Sequence, residues 1–145
     1  AYIAGEHGDS ELAVCSCANI YGIGLREFAK MKGFSDFEKE MDEIYHAVRD
    51  SAYEIIERKA ATYYGIGVAA ARIAEAIVRD SHTVMPVSVS LNGEYGLEGL
   101  CLSIPSIVGG KGAEQILEIG FSEDEMEKLK NSAEELKKVL GQIEK

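Results

Sequence analysis

Residues 83–104 read TVMPVSVSLNGEYGLEGLCLSI, and the folding of this stretch decides the class of the protein. Residues 83–91 are rich in β-branched side chains and end in the alternation Val87-Ser88-Val89-Ser90-Leu91, the two-residue period of a half-buried strand. Asn92-Gly93 follows, a strong hairpin signal because both residues accept positive φ. Residues 100–104 then resume a strand-like run. Two strands joined by a turn run antiparallel, whereas parallel strands need a long crossover between them. Downstream, Pro105 and the run Gly109-Gly110-Lys111-Gly112 mark turns, and residues 115–119 form a further short strand candidate.

Helical patterns flank this region. In residues 35–59, Phe37, Met41, Ile44, Tyr45, Val48, Ala52 and Ile55 step by three and four, the spacing of one apolar helix face. Ser35 and Glu38 have capping-box spacing. Acidic residues crowd the first half and Arg58-Lys59 the end, which suits the helix dipole. Residues 64–80 form a second helix. Apolar residues cover all of it but a stripe of Arg72, Glu75 and Arg79, which predicts a largely buried helix. Residues 122–143 form a third, with Ser122 and Glu125 as its capping box and Met126, Leu129, Ala133, Leu136 and Leu140 along its apolar face. Residues 1–4 read as a strand end. Residues 12–20 are apolar and small, which fits a buried strand or a short helix; periodicity does not separate the two. The predicted fold class is α+β, an antiparallel sheet packed with long helices in one domain.

Two glycine motifs invite a nucleotide-binding reading. Gly65-Ile66-Gly67-Val68-Ala69-Ala70 matches G-x-G-x-x-A, but it follows a helix rather than a strand. No acidic residue lies about 20 positions on to hold a ribose. Close packing at a helix start explains it better. GGKGAE at residues 109–114 lacks the spacing of a phosphate loop.

The 145 residues suit one domain, with 46% hydrophobic and 28% charged side chains. The net charge of −10 repels phosphate backbones and acidic lipid, so neither nucleic acid nor membrane is an expected partner. No apolar run approaches the roughly 20 residues that span a bilayer. Cys15, Cys17 and Cys101 are too few and too irregular for a disulfide scaffold. They read as small buried hydrophobes in a reducing cytoplasm, with Cys15 and Cys17 on one face of a strand.

The residues that carry chemistry stand near the start: Gly5-Glu6-His7-Gly8-Asp9-Ser10. The chain begins without methionine just ahead of them, and more chain is expected upstream. His7 sits between Glu6 and Gly8, with the side chain best tuned to exchange protons near neutral pH. Glycine beside it lets the backbone approach a ligand closely. Glu6 and Asp9 are local candidates to orient the ring. On the residues alone three readings stand: a catalytic histidine, a metal site of Glu6, His7 and Asp9, or a plain turn. The helical His-Glu-x-x-His spacing of a zinc site is absent. A Ser10–His7–Asp9 triad is disfavoured because folding, not adjacency, builds triads. No metal is expected. His46 and His82 read as structural or solvated.

GEHGDSE closely resembles the active-site motif of the lactate dehydrogenases within the lactate/malate dehydrogenase family. ATYYGIGVAAARI at residues 61–73 resembles the substrate-pocket helix of bacterial members, and SVSLNGEYG at 88–96 their hairpin. Residues 104–140 are similar to their C-terminal end throughout. The likeness covers essentially the whole chain. Departures follow the histidine loop, where members often read Leu-Pro-Val-Trp and this chain has Leu12-Ala13-Val14-Cys15.

The resemblance implies a C-terminal substrate-binding and catalytic domain, with an NAD-binding half upstream of Ala1. It implies that His7 gives a proton to pyruvate and takes one from L-lactate. It makes Thr62 a substrate-binding residue and Ile66 an apolar contact to the nicotinamide ring of NAD. A homodimer or homotetramer in the cytoplasm is implied as well. Read without the resemblance, Thr62 is a helix N-cap. Two other readings remain beside lactate dehydrogenase: a malate or other 2-hydroxyacid dehydrogenase domain, and a non-catalytic oligomerisation module.

Overall fold

The computed structural model describes residues 1–143. In chain order the elements are β1 (Tyr2–Ala4), β2 (Leu12–Val14), β3 (Asn19–Ile20), β4 (Ile23–Gly24), α1 (Leu25–Met31), α2 (Phe37–Lys59), α3 (Tyr64–Val78), β5 (Thr83–Asn92), β6 (Glu98–Gly109), β7 (Gly112–Ile116) and α4 (Glu123–Ile143). All strand pairs are antiparallel, and three long helices accompany them, as the α+β pattern predicts. The chain divides into two compact units. One comprises residues 1–18 and 76–145, the other residues 19–75.

The first unit holds the main core. β5, β6 and β7 form a sheet in that order. Its inward residues Leu91, Leu100, Leu102 and Ile104 pack with Ala4, Leu12 and Val14 of the β1–β2 hairpin and with Leu129 and Ala133 of α4. Tyr2 pairs with Val14 and Ala4 with Leu12. The edge of β6 that faces β7 over residues 106–109 continues at Ser103, where Gly5 takes over the pairing. Gly5 N donates to Ser103 O at 3.0 Å and Ser103 N to Gly5 O at 2.8 Å. The histidine loop is thereby joined to the central strand.

Three expectations for this unit need correction. Pro105 lies within β6, opposite Pro86 of β5, and not at a turn. Its carbonyl accepts from Leu117 N at 2.9 Å on the β7 side. A strand residue points its N–H and C=O the same way, so the missing donor faces the side where pairing with β7 has just ended. The Asn92-Gly93 turn is longer than a two-residue hairpin. Gly93, at φ 124°, opens a 3₁₀ turn over Glu94–Gly96, closed by Gly93 N donating to Leu97 O at 2.9 Å. Tyr95 in that turn stacks on Phe121, with ring centroids 4.9 Å apart, and its hydroxyl accepts from Ile119 N at 2.8 Å. Tertiary partners thus set the loop length. The third correction concerns the cysteines. All three are free, but Cys17 and Cys101 are exposed and Cys15 is only half-buried. Cys15 and Cys17 lie in the turn after β2, where Ala18 N donates to Cys15 O. Cys101 points away from the core that Leu100 and Leu102 enter.

The second unit contains the β3–β4 hairpin, α1, α2 and most of α3. Neither the small hairpin nor α1 was legible as such. α2 starts one residue later than its predicted box. Asp36 is the N-cap, its side chain accepting from Lys39 N at 3.2 Å, and Arg26 of α1 pairs with Glu38. The helix ends at Ala60 in the left-handed conformation, φ 64°. α2 buries no residue, and α3 buries only Ala76. This overturns the predicted burial of α3: its apolar coat is real, but among the described residues nothing buries more of it than Ala76. No helix among the described residues is long and apolar enough to cross a membrane.

Candidate active site

His7 stands exposed in the loop between β1 and β2. The pairing of the two short strands sets the loop's ends, and Glu11 N donating to Gly8 O at 3.1 Å closes its second half. Gly5 is required by two facts. Its φ of +92° belongs to the left-handed region, and a Cβ there would meet Ser132 Oγ at 2.8 Å and Leu12 Cδ2 at 2.9 Å. The backbone of the loop therefore lies directly on α4. Glu6 N donates to Ser132 Oγ at 2.8 Å, and Ser132 is fully buried. Ser10 Oγ donates to the Glu6 carboxylate and lies 3.2 Å from Ser132 Oγ. Glu6, a candidate to orient His7, is committed to Ser10 instead. Ser132 was missed because the apolar pattern of α4 marks its face without marking which polar residue on it meets the loop.

The chain just after β2 is held by the same helix. Glu125 Oε1 accepts from Cys15 N and Ser16 N, both at 2.9 Å, and its other oxygen from the Ser16 hydroxyl. Ser122 N donates to Glu125 Oε2 at 3.0 Å, and Glu125 N to Ser122 Oγ at 3.2 Å, the reciprocal bonds of the predicted capping box. Burial pushes the Glu125 carboxyl up, but the Ser16 hydroxyl and the N–H groups of Ser122, Ser16 and Cys15 outweigh it and hold its pKa below the ordinary value. The capping residue of α4 thus also braces the turn that follows β2.

Thr62 and Ile66 lie in the second unit, His7 in the first. Thr62 is half-buried. Gly67 N donates to Tyr63 O at 2.9 Å, which makes Tyr63 the first residue to accept a helical bond. The N-cap reading of Thr62 is one residue out. Ile66, in the first turn of α3, is 59% exposed, which fits an apolar contact for a flat ring. A Cβ at Gly65 or Gly67 would meet no atom within 4 Å, so close packing does not explain these glycines. Since the turn follows α2 and no strand, it offers no phosphate cradle either. The residues present fit one apolar wall of a nicotinamide site and no more.

Among the described residues the one set with metal-ligand proximity is Asp80, His82 and Glu114, whose ligand atoms lie within 4.8 Å of one another, all exposed. Glu6, His7 and Asp9 do not form such a set. Asp80 Oδ1 accepts from Gly110 N at 2.6 Å and Glu114 Oε1 from Lys111 N at 3.1 Å. These carboxylates clip the two-residue turn between β6 and β7, and His82 bridges them at 3.6 and 3.5 Å. His82 is thus engaged rather than merely solvated.

Comparison with known proteins gives a consistent result. Residues 1–145 match the family described as lactate/malate dehydrogenase, alpha/beta C-terminal domain. The chain is 45% identical over 140 residues to L-lactate dehydrogenase 1 of Lactobacillus acidophilus, covering 97% of this chain and 43% of that protein. It is 47% identical over 140 residues to L-lactate dehydrogenase of Pediococcus pentosaceus, with the same coverage. Among solved structures it superposes on the minor L-lactate dehydrogenase of Enterococcus mundtii with a TM-score of 0.91 at 41% identity, covering 98% of this chain and 45% of the other. A lactate dehydrogenase from a Medee basin deep-sea metagenome gives 0.93 at 38%, covering 99% and 46%. The chain spans less than half the length of the curated relatives it matches. It belongs to the lactate/malate dehydrogenase family and has the fold of that family's α/β C-terminal domain.

Proposed function

We propose that the chain is the substrate-side domain of a cytoplasmic NAD-dependent L-lactate dehydrogenase, with His7 as its proton donor and acceptor. The observation that carries this reading is the exposed imidazole of His7 on a loop fixed at Gly5 by β6 and at Glu6 by α4. A residue that must reach substrate needs exposure, and one that must transfer a proton needs a fixed position.

Protonated His7 donates to the carbonyl oxygen of pyruvate and leaves its proton on the hydroxyl of L-lactate. In reverse, the neutral ring takes that proton. NAD in its reduced form, when bound, supplies the hydride for the carbonyl carbon. Thr62 contributes a hydroxyl to substrate binding, and Ile66 an apolar wall for the nicotinamide. Family relatives carrying the name L-lactate dehydrogenase at 42–47% identity support lactate over malate.

Bare apolar helices support a homo-oligomer. Ile44 and Val48 of α2 are 53% and 54% exposed and Val68 and Val78 of α3 59% and 85%, although both helices are rich in apolar residues. A second copy of the protein covering such a face removes it from water.

The test is His7→Gln in the full-length protein that contains this chain. Gln preserves a hydrogen-bond donor but does not exchange a proton at neutral pH. Turnover should fall by about 10² or more with the unfolding temperature unchanged. Unchanged turnover overturns the catalytic assignment.

A further inference from the structure

The hydrogen bonds around the histidine loop form a closed ring with one consistent direction. Glu6 N–H donates to Ser132 Oγ at 2.8 Å. Ser10 Oγ–H donates to Glu6 Oε2, so its only hydrogen is spent. The 3.2 Å link between the two serine oxygens is then donated by Ser132 and accepted by Ser10. The path runs from the Glu6 amide to Ser132, to Ser10, and back to the Glu6 carboxylate. It leaves the loop, crosses to α4 and returns, spanning residues 6 to 10 with His7 between them. Hydrogen bonds aligned head to tail in this way reinforce one another.

Ser132 is the one member of the ring outside the loop. It is fully buried on α4, in a helix face otherwise given to Leu129, Ala133 and Leu136. A hydroxyl there needs partners, and both its partners belong to the loop. The Gly5 backbone lies so close to it that no Cβ fits between.

We propose that Ser132 is a positioning residue for His7. By accepting the Glu6 amide next to the imidazole and orienting Ser10, it fixes the place from which His7 delivers its proton. This rests on the reading of His7 as the acid–base group. It assigns part of the reaction geometry to α4, at the far end of the chain.

The experiment is a double-mutant cycle in the full-length protein, using pyruvate reduction under saturating NADH. Ser132→Ala should lower kcat about tenfold with KM for pyruvate changed less than threefold. Hydrogen exchange over residues 5–10 should quicken while α4 stays protected. In the His7→Gln background the same substitution should cost nothing further, because a positioning residue has nothing left to position. Ser10→Ala opens the ring from a half-buried site, and keeps the test available if Ser132→Ala does not fold; it should shift kcat in the same direction and by less. A wild-type kcat in both serine variants, or losses that multiply with His7→Gln, overturns the role of Ser132 while leaving His7 in place. Full activity of His7→Gln itself overturns both readings.

Discussion

Glu125 Oε1 accepts the backbone N–H groups of Cys15 and Ser16, each at 2.9 Å. One carboxylate at the start of α4 therefore satisfies donors of a segment more than a hundred positions earlier, and caps its own helix besides. Glu125→Ala removes all of these acceptors from a buried site. Stability should fall by about 1–3 kcal/mol, the scale of losing hydrogen bonds to a charged acceptor at a partly buried turn. Urea denaturation monitored by circular dichroism measures it. A loss of only a few tenths would mean that water reaches the turn and replaces the carboxylate.

The same group gives the protein an acid limb. The Glu125 pKa is lower in the folded protein than the ordinary carboxylate value. The unfolded chain therefore binds its proton first as pH falls. The stabilisation is fully present above the unfolded pKa and is lost as pH drops through the folded one. Melting temperature should decline across this acid range, and Glu125→Gln should flatten the decline there while leaving the slope near neutral pH alone. Scanning calorimetry of both proteins from pH 3 to pH 7 decides.

Gly5→Ala should be costly for two independent reasons. Positive φ, here +92°, disfavours a side chain by about 1–3 kcal/mol, and the added methyl would press on Ser132 Oγ and Leu12, overpacking that adds about 1–3 kcal/mol. Gly110→Ala offers a control in another turn, where the nearest atom belongs to the Asp80 carboxylate on the surface. Thermal denaturation should separate the two variants by several degrees. Equal melting temperatures would show that the loop backbone can lift from α4.

The apolar residues of α2 predict the effect of charge on assembly. Ile44→Glu with Val48→Glu places two carboxylates on exposed positions one turn apart. Neither side chain is buried within the chain, so helix content should persist. If a second copy covers this face, the full-length protein should shift to a smaller species in light scattering, since unpaired charges do not bury. An unchanged oligomer would place the interface elsewhere.

The helices were legible because their determinants are local. The step of three and four in α2, and the reciprocal Ser122–Glu125 box of α4, are written within a few residues. The hairpin of β5 and β6 was legible for the same reason, down to the Asn92-Gly93 turn, although its length was not. That length depends on Tyr95 finding Phe121 and Ile119, which lie far along the chain.

Resemblance carried the identity of the loop; the residues alone left His7 divided among a catalyst, a ligand and a turn. Only the tertiary structure decided that Gly5 pairs with Ser103, that Glu6 rests on Ser132, and that Pro105 can sit inside a strand. Each of these depends on which edge or face a distant segment occupies. The burial of α3 shows the limit most plainly. Periodicity fixes which side of a helix is apolar, but burial needs a second surface to exclude water, and a sequence pattern on one element does not contain the surface that will cover it.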